Sequence, residues 1–132
     1  MPPLRYHHVQ SRIEQGILVL TVTETHLRGD TLVEALRAEM LAVVNETSLW
    51  KVVLDLAKVT SVASEGFRPL LNLRSTIEEH GGRLLLCNLS PVVNQTLRTT
   101  RLISSSRATA GFEVQPNVEA ALATLGVGTS AG

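Results

Sequence analysis

Hydrophobic residues along the chain fall into two patterns, short unbroken runs and longer stretches with apolar positions every three or four residues. The unbroken runs cover Gly16–Thr23, Lys51–Ala57 and Arg83–Leu89. Their lengths favour strands, and continuous apolar runs are typical of strands buried on both faces of a sheet. Weaker strand patterns at His8–Ile13 and Gly111–Gln115 would add one strand before these three and one after them.

Two helices are predicted in the first half of the chain. Thr31 and Glu34 have the spacing of a capping box, with Thr31 as the cap. Behind them the apolar positions recur at steps of three and four residues and form one face, which consists of Leu32, Leu36, Met40, Val43 and Val44. A second helical pattern consists of Phe67, Leu70, Leu71 and Ile77, and it ends at Gly81-Gly82.

Two further helices are predicted in the second half. Ser90-Pro91 is typical of an N-cap followed by the first helical residue, which predicts a third helix as far as about Leu102. Asn117 is placed to cap a fourth helix through Leu125. The residues from Gly126 onward are small and are expected to fray.

The predicted order of elements is β, β, α, β, α, β, α, β, α. Strands that alternate with helices become parallel neighbours, and the first two strands would form an antiparallel hairpin at the edge of the sheet. This order predicts an α/β protein with a mixed sheet, and it leaves open whether the helices form one layer or two. The 132 residues suit one domain, taken as residues 1–126, with a flexible tail at 127–132.

Composition and charge exclude several classes of protein. Hydrophobic residues make up 44% of the chain, which is enough for a substantial core and too much for a disordered chain. Twelve basic residues balance twelve acidic ones, so no net charge would direct the protein to nucleic acid or to an anionic membrane. No apolar run has the length of a signal peptide or a membrane span. We therefore expect a cytoplasmic domain that neither binds nucleic acid directly nor inserts into a membrane.

The chain carries few groups that suit catalysis or metal binding. His7, His8, His26 and His80 lack a second ligand at metal-binding spacing and are interpreted as surface histidines. Cys87, the single cysteine, lies inside an apolar run, where a small buried residue is expected. No glycine-rich phosphate loop follows any of the predicted strands. The sequence therefore predicts a protein that is not an enzyme, without a metal site, a cofactor or a catalytic residue.

Asp55 follows an apolar strand, as does the phosphorylated aspartate of a receiver domain. A receiver site needs an acidic pair after the first long strand to hold magnesium, and that position offers a single acid in Glu24-Thr25-His26. The receiver interpretation is therefore set aside. Asp55 is instead predicted to accept hydrogen bonds from backbone or side-chain donors at the end of the sheet.

The turn from Val59 to Phe67 is the remaining candidate site. Ser64 has the position of an N-cap, and Gly66 would let another backbone approach closely. The simpler interpretation is a helix cap. The functional one is a phosphoacceptor, because a helix N-terminus presents free N–H groups to a phosphate that adds a charge of about −1.5 to −2. Pro69 removes an early amide, so the regular helix is expected to begin after Ser64.

Several segments, in order, resemble the STAS domain, the fold of bacterial anti-sigma factor antagonists. In that family an apolar strand ending in L-D-L or L-N-L is followed by D-S-S-G or D-S-T-G at the start of a helix. The matching segments here are Val53-Leu54-Asp55-Leu56 and Ala63-Ser64-Glu65-Gly66. The family's G-G-x-hydrophobic strand and S-P-x-V helix start resemble Gly81–Val92, and its last helix resembles Ala121–Gly126. The resemblance covers about residues 8–126.

The resemblance implies a STAS fold, a small mixed sheet of four to five strands with about four helices packed largely on one face. Antagonists of this family bind an anti-sigma factor, often itself a serine kinase, and thereby free its sigma factor for transcription. The kinase phosphorylates the serine that corresponds to Ser64, and a phosphatase removes the phosphate. For Arg68, as for Arg74, a solvated position on the helix is as good an interpretation as a contact with the partner. The residues expected at the partner surface are Thr25, His26, Ser64, Glu65, Gly66 and Arg68.

Three features of this chain depart from the family pattern. Ala63 stands where the family has an aspartate, and Glu65 stands where it has a second serine or threonine. Either change would impair recognition by a kinase or favour a form fixed in one state. The stretch Ser104–Gly111 is longer than the family's usual link to the last strand, and it is interpreted as a solvated loop, with a partner contact or a second modification site as the alternative.

The same fold also suits a second role. STAS domains serve as the cores of large stress-signalling assemblies and as subunits of lipid-transport complexes. In either case the domain would be a scaffold without phosphorylation, and stable multimers would favour that role over a switch. The sequence leaves self-association open and does not identify the partner.

Overall fold

The computed structural model describes residues 8–99 and 112–130 of the chain. Its strands are β1 (Val9–Glu14), β2 (Ile17–Val22), β3 (His26–Leu27), β4 (Lys51–Asp55), β5 (Ser61–Val62), β6 (Arg83–Cys87) and β7 (Glu113–Gln115). Its helices are α1 (Asp30–Thr47), α2 (Phe67–Glu79), α3 (Pro91–Thr99) and α4 (Val118–Ser130), and a single 3₁₀ turn, Ser64–Gly66, precedes α2.

Five of the strands form one mixed sheet in the order β1-β2-β4-β6-β7. The hairpin β1–β2 is antiparallel and turns through Gln15 and Gly16, both with positive φ, while the other neighbours are parallel. The predicted mixed sheet with an antiparallel edge is therefore confirmed. The two-residue strands β3 and β5, which the hydrophobic pattern did not predict, pair with each other outside this sheet.

The two faces of the sheet bury separate cores. The larger core joins one face to α1, α2 and α3, and each fully buried aliphatic side chain there stabilises the fold by roughly 1.5–3 kcal/mol. On the opposite face, α4 packs Ala121, Leu122 and Leu125 on a smaller core of Ile17, Val19, Val53, Leu85 and Cys87. Three helices on one face and one on the other confirm the predicted arrangement, largely on one face.

The ends of the helices agree only in part with the predictions. The Val93 N–H donates to Ser90 Oγ at 3.2 Å and the Ala120 N–H donates to Asn117 Oδ1 at 2.8 Å, so both predicted caps are confirmed. The capping box of Thr31 and Glu34 is wrong, because α1 already begins at Asp30 after Gly29 and has no side-chain cap. Glu34 instead forms an ion pair with Arg37, one turn along the helix.

Some predictions fall on residues that the structure does not describe. These are the end of the third helix at Leu102, the terminal His7, the start of the last strand at Gly111, and the link Ser104–Gly111. The helix α4 continues past Leu125 to Ser130, and the domain limits, with a flexible tail at 127–132, stay a prediction. Among the helices of residues 8–99 and 112–130, none is both long and apolar enough to cross a bilayer.

Candidate functional site

The short strands β3 and β5 form a platform beyond the carboxyl ends of β2 and β4. They are parallel, with His26 opposite Ser61 and Leu27 opposite Val62. The Thr60 N–H donates to the Thr25 carbonyl at 2.7 Å, so the two segments are joined just before the strands begin. His26 is therefore held on a strand.

Ser64 is the first residue of the 3₁₀ turn that leads from β5 into α2. The prediction of Ser64 as a helix N-cap is wrong, because Ala63 holds the cap position without a side-chain cap, and the Gly66 N–H bonds the Ala63 carbonyl at 2.8 Å. The regular helix begins at Phe67, in agreement with the effect expected of Pro69. Within the described residues the exposed Ser64 hydroxyl makes no hydrogen bond, so it is available to a partner.

Gly66 brings the turn into contact with β3. A Cβ at this position would lie 2.4 Å from the carbonyl oxygen of Leu27 and 2.8 Å from Cγ1 of Val62, both far inside van der Waals contact. The predicted close backbone approach is confirmed. It seats the Ser64 turn directly on the platform, where the Ala63 N–H also donates to the Leu27 carbonyl at 2.9 Å.

Glu65 turns back from the Ser64 turn toward the start of α1. Its carboxylate accepts a hydrogen bond from the Gly29 N–H at 2.9 Å. This bond and one from its own N–H hold the pKa of Glu65 below its ordinary value, and the positive charges of Arg68 and Arg28 contribute in the same direction. The negative charge that replaces the family's second hydroxyl is therefore engaged by the loop before α1.

Arg68 and Asp30 form a second link, between the first turns of α2 and α1. The nearest atoms of their ion pair are 3.4 Å apart, and the side chains are 62% and 87% exposed. Arg68 is therefore largely solvated, which was one of the two interpretations of its sequence position. It makes one exposed ion pair, which contributes little to stability.

A small hydrogen-bonded cluster lies beside the turn. His26 Nδ1 is 2.7 Å from the Ser61 hydroxyl and 3.4 Å from the Thr60 hydroxyl, and the Thr60 hydroxyl donates to the Thr25 carbonyl at 3.0 Å. The described part of the chain holds no cluster of three or more histidine, cysteine or acidic side chains that could bind a metal ion. The cluster thus joins β3 to the segment that begins β5 through side-chain and backbone hydrogen bonds.

The other histidines make contacts away from the site. His8 Nδ1 lies 2.6 Å from a carboxylate oxygen of Glu24, in a half-buried position. His80 stacks on Trp50 with a ring separation of 3.6 Å. The surface interpretation holds for the exposed His26 and His80, whereas His8 is partly enclosed.

Asp55 and Cys87 lie at the carboxyl ends of β4 and β6, where a catalytic group would be placed in many α/β proteins. Asp55 Oδ1 accepts hydrogen bonds from the Ala57 N–H and from Asn88 Nδ2, both at 3.0 Å, which confirms its predicted structural role. Burial raises the pKa of the Cys87 thiol to about 12, and the nearby Asp55 carboxylate acts in the same direction. A thiol with this pKa is a poor nucleophile.

The fold brings the six residues predicted at the partner surface onto two adjacent segments. Thr25 precedes β3 and His26 begins it, whereas Ser64, Glu65 and Gly66 form the turn after β5 and Arg68 is the second residue of α2. Sequence reasoning did not find Gly29, Asp30 or Ser61, which complete the site through backbone and side-chain bonds. No local motif marks these three residues, because their partners lie 35 to 38 positions away.

Comparisons with known proteins agree with this architecture. The family model described as STAS domain matches residues 8–121. No curated protein sequence matches the chain.

Solved structures resemble the chain at low sequence identity. An anti-sigma factor antagonist from Mycobacterium paratuberculosis is 20% identical over 89% of this chain and 92% of its own, with a TM-score of 0.72. A variant of RsbS from Moorella thermoacetica is 19% identical over 94% and 99%, with a TM-score of 0.73. A chain of the stressosome, described as a signal integration and transduction hub, is 18% identical over 91% and 98%, with a TM-score of 0.67. At these identities the likeness shows the fold.

Proposed function

Because the chain belongs to the STAS domain family, we propose that it is a regulatory protein that binds an anti-sigma factor or a related serine kinase. In this proposal Ser64 is a phosphoacceptor, and a phosphatase restores the unmodified form. The partner surface consists of Thr25, His26, Ser64, Glu65, Gly66 and Arg68.

The accessibility of Ser64 is the observation that carries the proposal. A serine that capped α2 would have its oxygen occupied by a backbone N–H, whereas the Ser64 hydroxyl is exposed and makes no hydrogen bond within the described residues. The serine also lies on a turn that is fixed by Gly66 and Glu65. A kinase would therefore meet an exposed hydroxyl in a defined position.

The groups around Ser64 support binding in preference to catalysis. His26 and Ser61 form a hydrogen-bonded pair, but no acidic residue of the described chain is bonded to the imidazole to orient it. Cys87 is buried and protonated. The site therefore suits recognition by another protein, and we assign no reaction to it.

The experiment that tests the proposal is intact-mass analysis of the protein isolated from its native cells, with peptide mapping of any added phosphate. Phosphate on Ser64, absent from Ser64→Ala and retained in Ser75→Ala, is the expected result. Ser75 is the matched control because it is an exposed serine on the far part of α2. The same samples serve for affinity capture, where an anti-sigma factor or kinase is expected on the unmodified form.

The hydrogen bond between Glu65 and Gly29 favours a second candidate function. In this alternative the protein is a constitutive STAS subunit of a larger assembly, such as a stress-signalling complex. Glu65 and Ala63 replace the family residues beside the phosphoacceptor, and Glu65 already supplies an anion that is held by Gly29. Absence of phosphate under several growth and stress conditions, together with stable multimers on native mass spectrometry, would overturn the switch in favour of this subunit role.

A further inference from the structure

Arg68 is held on the surface by a single weak contact. Its ion pair with Asp30 has a nearest separation of 3.4 Å, and both side chains are largely exposed. The geometry at this distance gives at most one poor hydrogen bond, and water competes for both groups. The guanidinium is therefore free to exchange Asp30 for a stronger anion.

The same guanidinium lies close to the serine turn. Arg68 is the second residue of α2, four positions after Ser64, and it contacts Asp30, whose neighbour Gly29 is hydrogen-bonded to Glu65, the residue next to Ser64. Glu65 does not hold Arg68, because its carboxylate accepts the Gly29 N–H. The other charged groups of the described chain that act on this region are Arg28, Asp30 and, one turn into α1, Glu34.

We propose that a phosphate on Ser64 is bound by Arg68, which leaves Asp30 to make this contact. The inference rests on the proposed function only in taking Ser64 as the modified residue. A phosphate monoester has three acceptor oxygens and a charge of about −1.5 to −2, and it pairs with the planar guanidinium in a bidentate manner. The exposed Asp30 carboxylate, with a single contact at 3.4 Å and one negative charge, is the weaker acceptor of the two.

This exchange changes the partner surface in two ways. It neutralises Arg68, a cation that an acidic partner would use, and it releases the link between α2 and the start of α1. Phosphorylation would then act by removing a positive contact as well as by adding bulk and negative charge. In this proposal Arg68 is thus the residue that binds the phosphate and thereby changes the charge of the partner surface.

The test is a ³¹P NMR titration of the full chain with phosphoserine incorporated at position 64 during translation, so no kinase or partner is needed. The second pKa of the phosphate is measured in the parent protein, in Arg68→Gln and in Arg74→Gln. Arg74 is the matched control because it lies on the same helix with its guanidinium 4.8 Å from the Phe112 ring centroid. All three are repeated with His26→Gln, which removes the imidazole of β3 from the readout.

Binding by Arg68 lowers the second pKa of the phosphate, so Arg68→Gln is expected to raise it by about half a pH unit, with no change in Arg74→Gln. Asp30→Asn removes the competing carboxylate and is expected to lower the second pKa of the phosphate. Equal values in the parent protein and Arg68→Gln would overturn the inference. Equal phosphate pKa values in the parent protein and in Asp30→Asn would show that Arg68 does not leave Asp30 for the phosphate. Failure of kinase or partner binding leaves this titration unaffected, so the two proposals fail separately.

Discussion

The carboxylate of Glu65 and the backbone N–H of Gly29 are joined by a hydrogen bond of 2.9 Å that links two loops 36 residues apart. Glu65 stands where the family has a second hydroxyl, and it places a negative charge at that position. The Glu65 carboxylate therefore has a structural role, because its hydrogen bond connects the Ser64 turn to the start of α1. Two loops that are separate in sequence therefore present one surface.

Replacement of Glu65 by alanine is expected to loosen the loop before α1 without unfolding the domain. The Gly29 N–H loses its acceptor, so its amide hydrogen should exchange with solvent several-fold faster. Glu65→Gln keeps an oxygen acceptor and should show a smaller effect. Hydrogen exchange followed by NMR measures both, with Glu78→Gln, an exposed acid on α2, as the control. Unchanged Gly29 exchange in Glu65→Ala would show that the bond does not hold the loop.

The tie between Glu65 and Gly29 is also expected to depend on pH in the acidic range. The folded pKa of Glu65 is depressed, so its contribution to stability is complete above the pKa of an unfolded-chain glutamate and is lost as pH falls through the lower folded value. The Gly29 amide chemical shift should follow this transition in an acid titration. In Glu65→Gln the transition should disappear, and its persistence there would assign it to another group.

Gly66→Ala is expected to destabilise the domain by about 1–3 kcal/mol, since the added methyl overlaps a backbone carbonyl that cannot rotate away. Urea unfolding measures the loss. Gly126→Ala on α4 is the control, because a Cβ there meets nothing within 4 Å and alanine favours a helix. Equal stability of the two variants would mean that the turn can move away from Leu27.

Asp55→Ala is expected to cost about 1–2 kcal/mol, because the Ala57 N–H and Asn88 Nδ2 lose their common acceptor. Asp55→Asn retains one oxygen that can accept and should cost less. The two variants are compared by urea unfolding at neutral pH. A larger loss for asparagine than for alanine would contradict a role based on hydrogen-bond acceptance.

Cys87 is expected to resist alkylation by iodoacetamide in the native protein and to react once urea unfolds it. Its pKa of about 12 disfavours the thiolate, and the side chain is fully buried. Because the folded pKa is raised, the neutral thiol favours the native state, and this contribution is lost as pH rises from about 9 toward about 12. Mass spectrometry of the alkylated protein measures the reaction. Rapid native labelling at pH 8 would show that the α4 face opens readily.

The centre of the main sheet could be predicted from the sequence because β2, β4 and β6 are buried on both faces and consist of unbroken apolar runs. The strands at residues 17–22, 51–55 and 83–87 could be predicted without knowing which strands they pair with in the sheet. The strands β3 and β5 have two residues each, too few for any periodicity to appear. Their pairing depends on the position of two loops that only the folded chain brings together.

The candidate site could be predicted in outline and not in its bonding. Ser64 and Gly66 stand in a motif, and Gly66 has the close approach expected of it. The N-cap role of Ser64 was wrong because a 3₁₀ turn moves the start of α2 to Phe67. The partners of Glu65 and Arg68 are Gly29 and Asp30, and local spacing carries no information about contacts across such separations.

The placement of α4 has a consequence for the order in which the nascent chain can finish folding. Within the described residues, α4 supplies the helical cover of the smaller core, and its buried positions, Ala121 to Leu125, are synthesised after the strands that they cover. While the ribosome still holds this segment, Ile17, Val19 and Val53 remain open to water on a sheet whose other face can already be packed. A chaperone that recognises apolar surface would therefore meet a half-covered intermediate, and release of α4 from the exit tunnel would end its access.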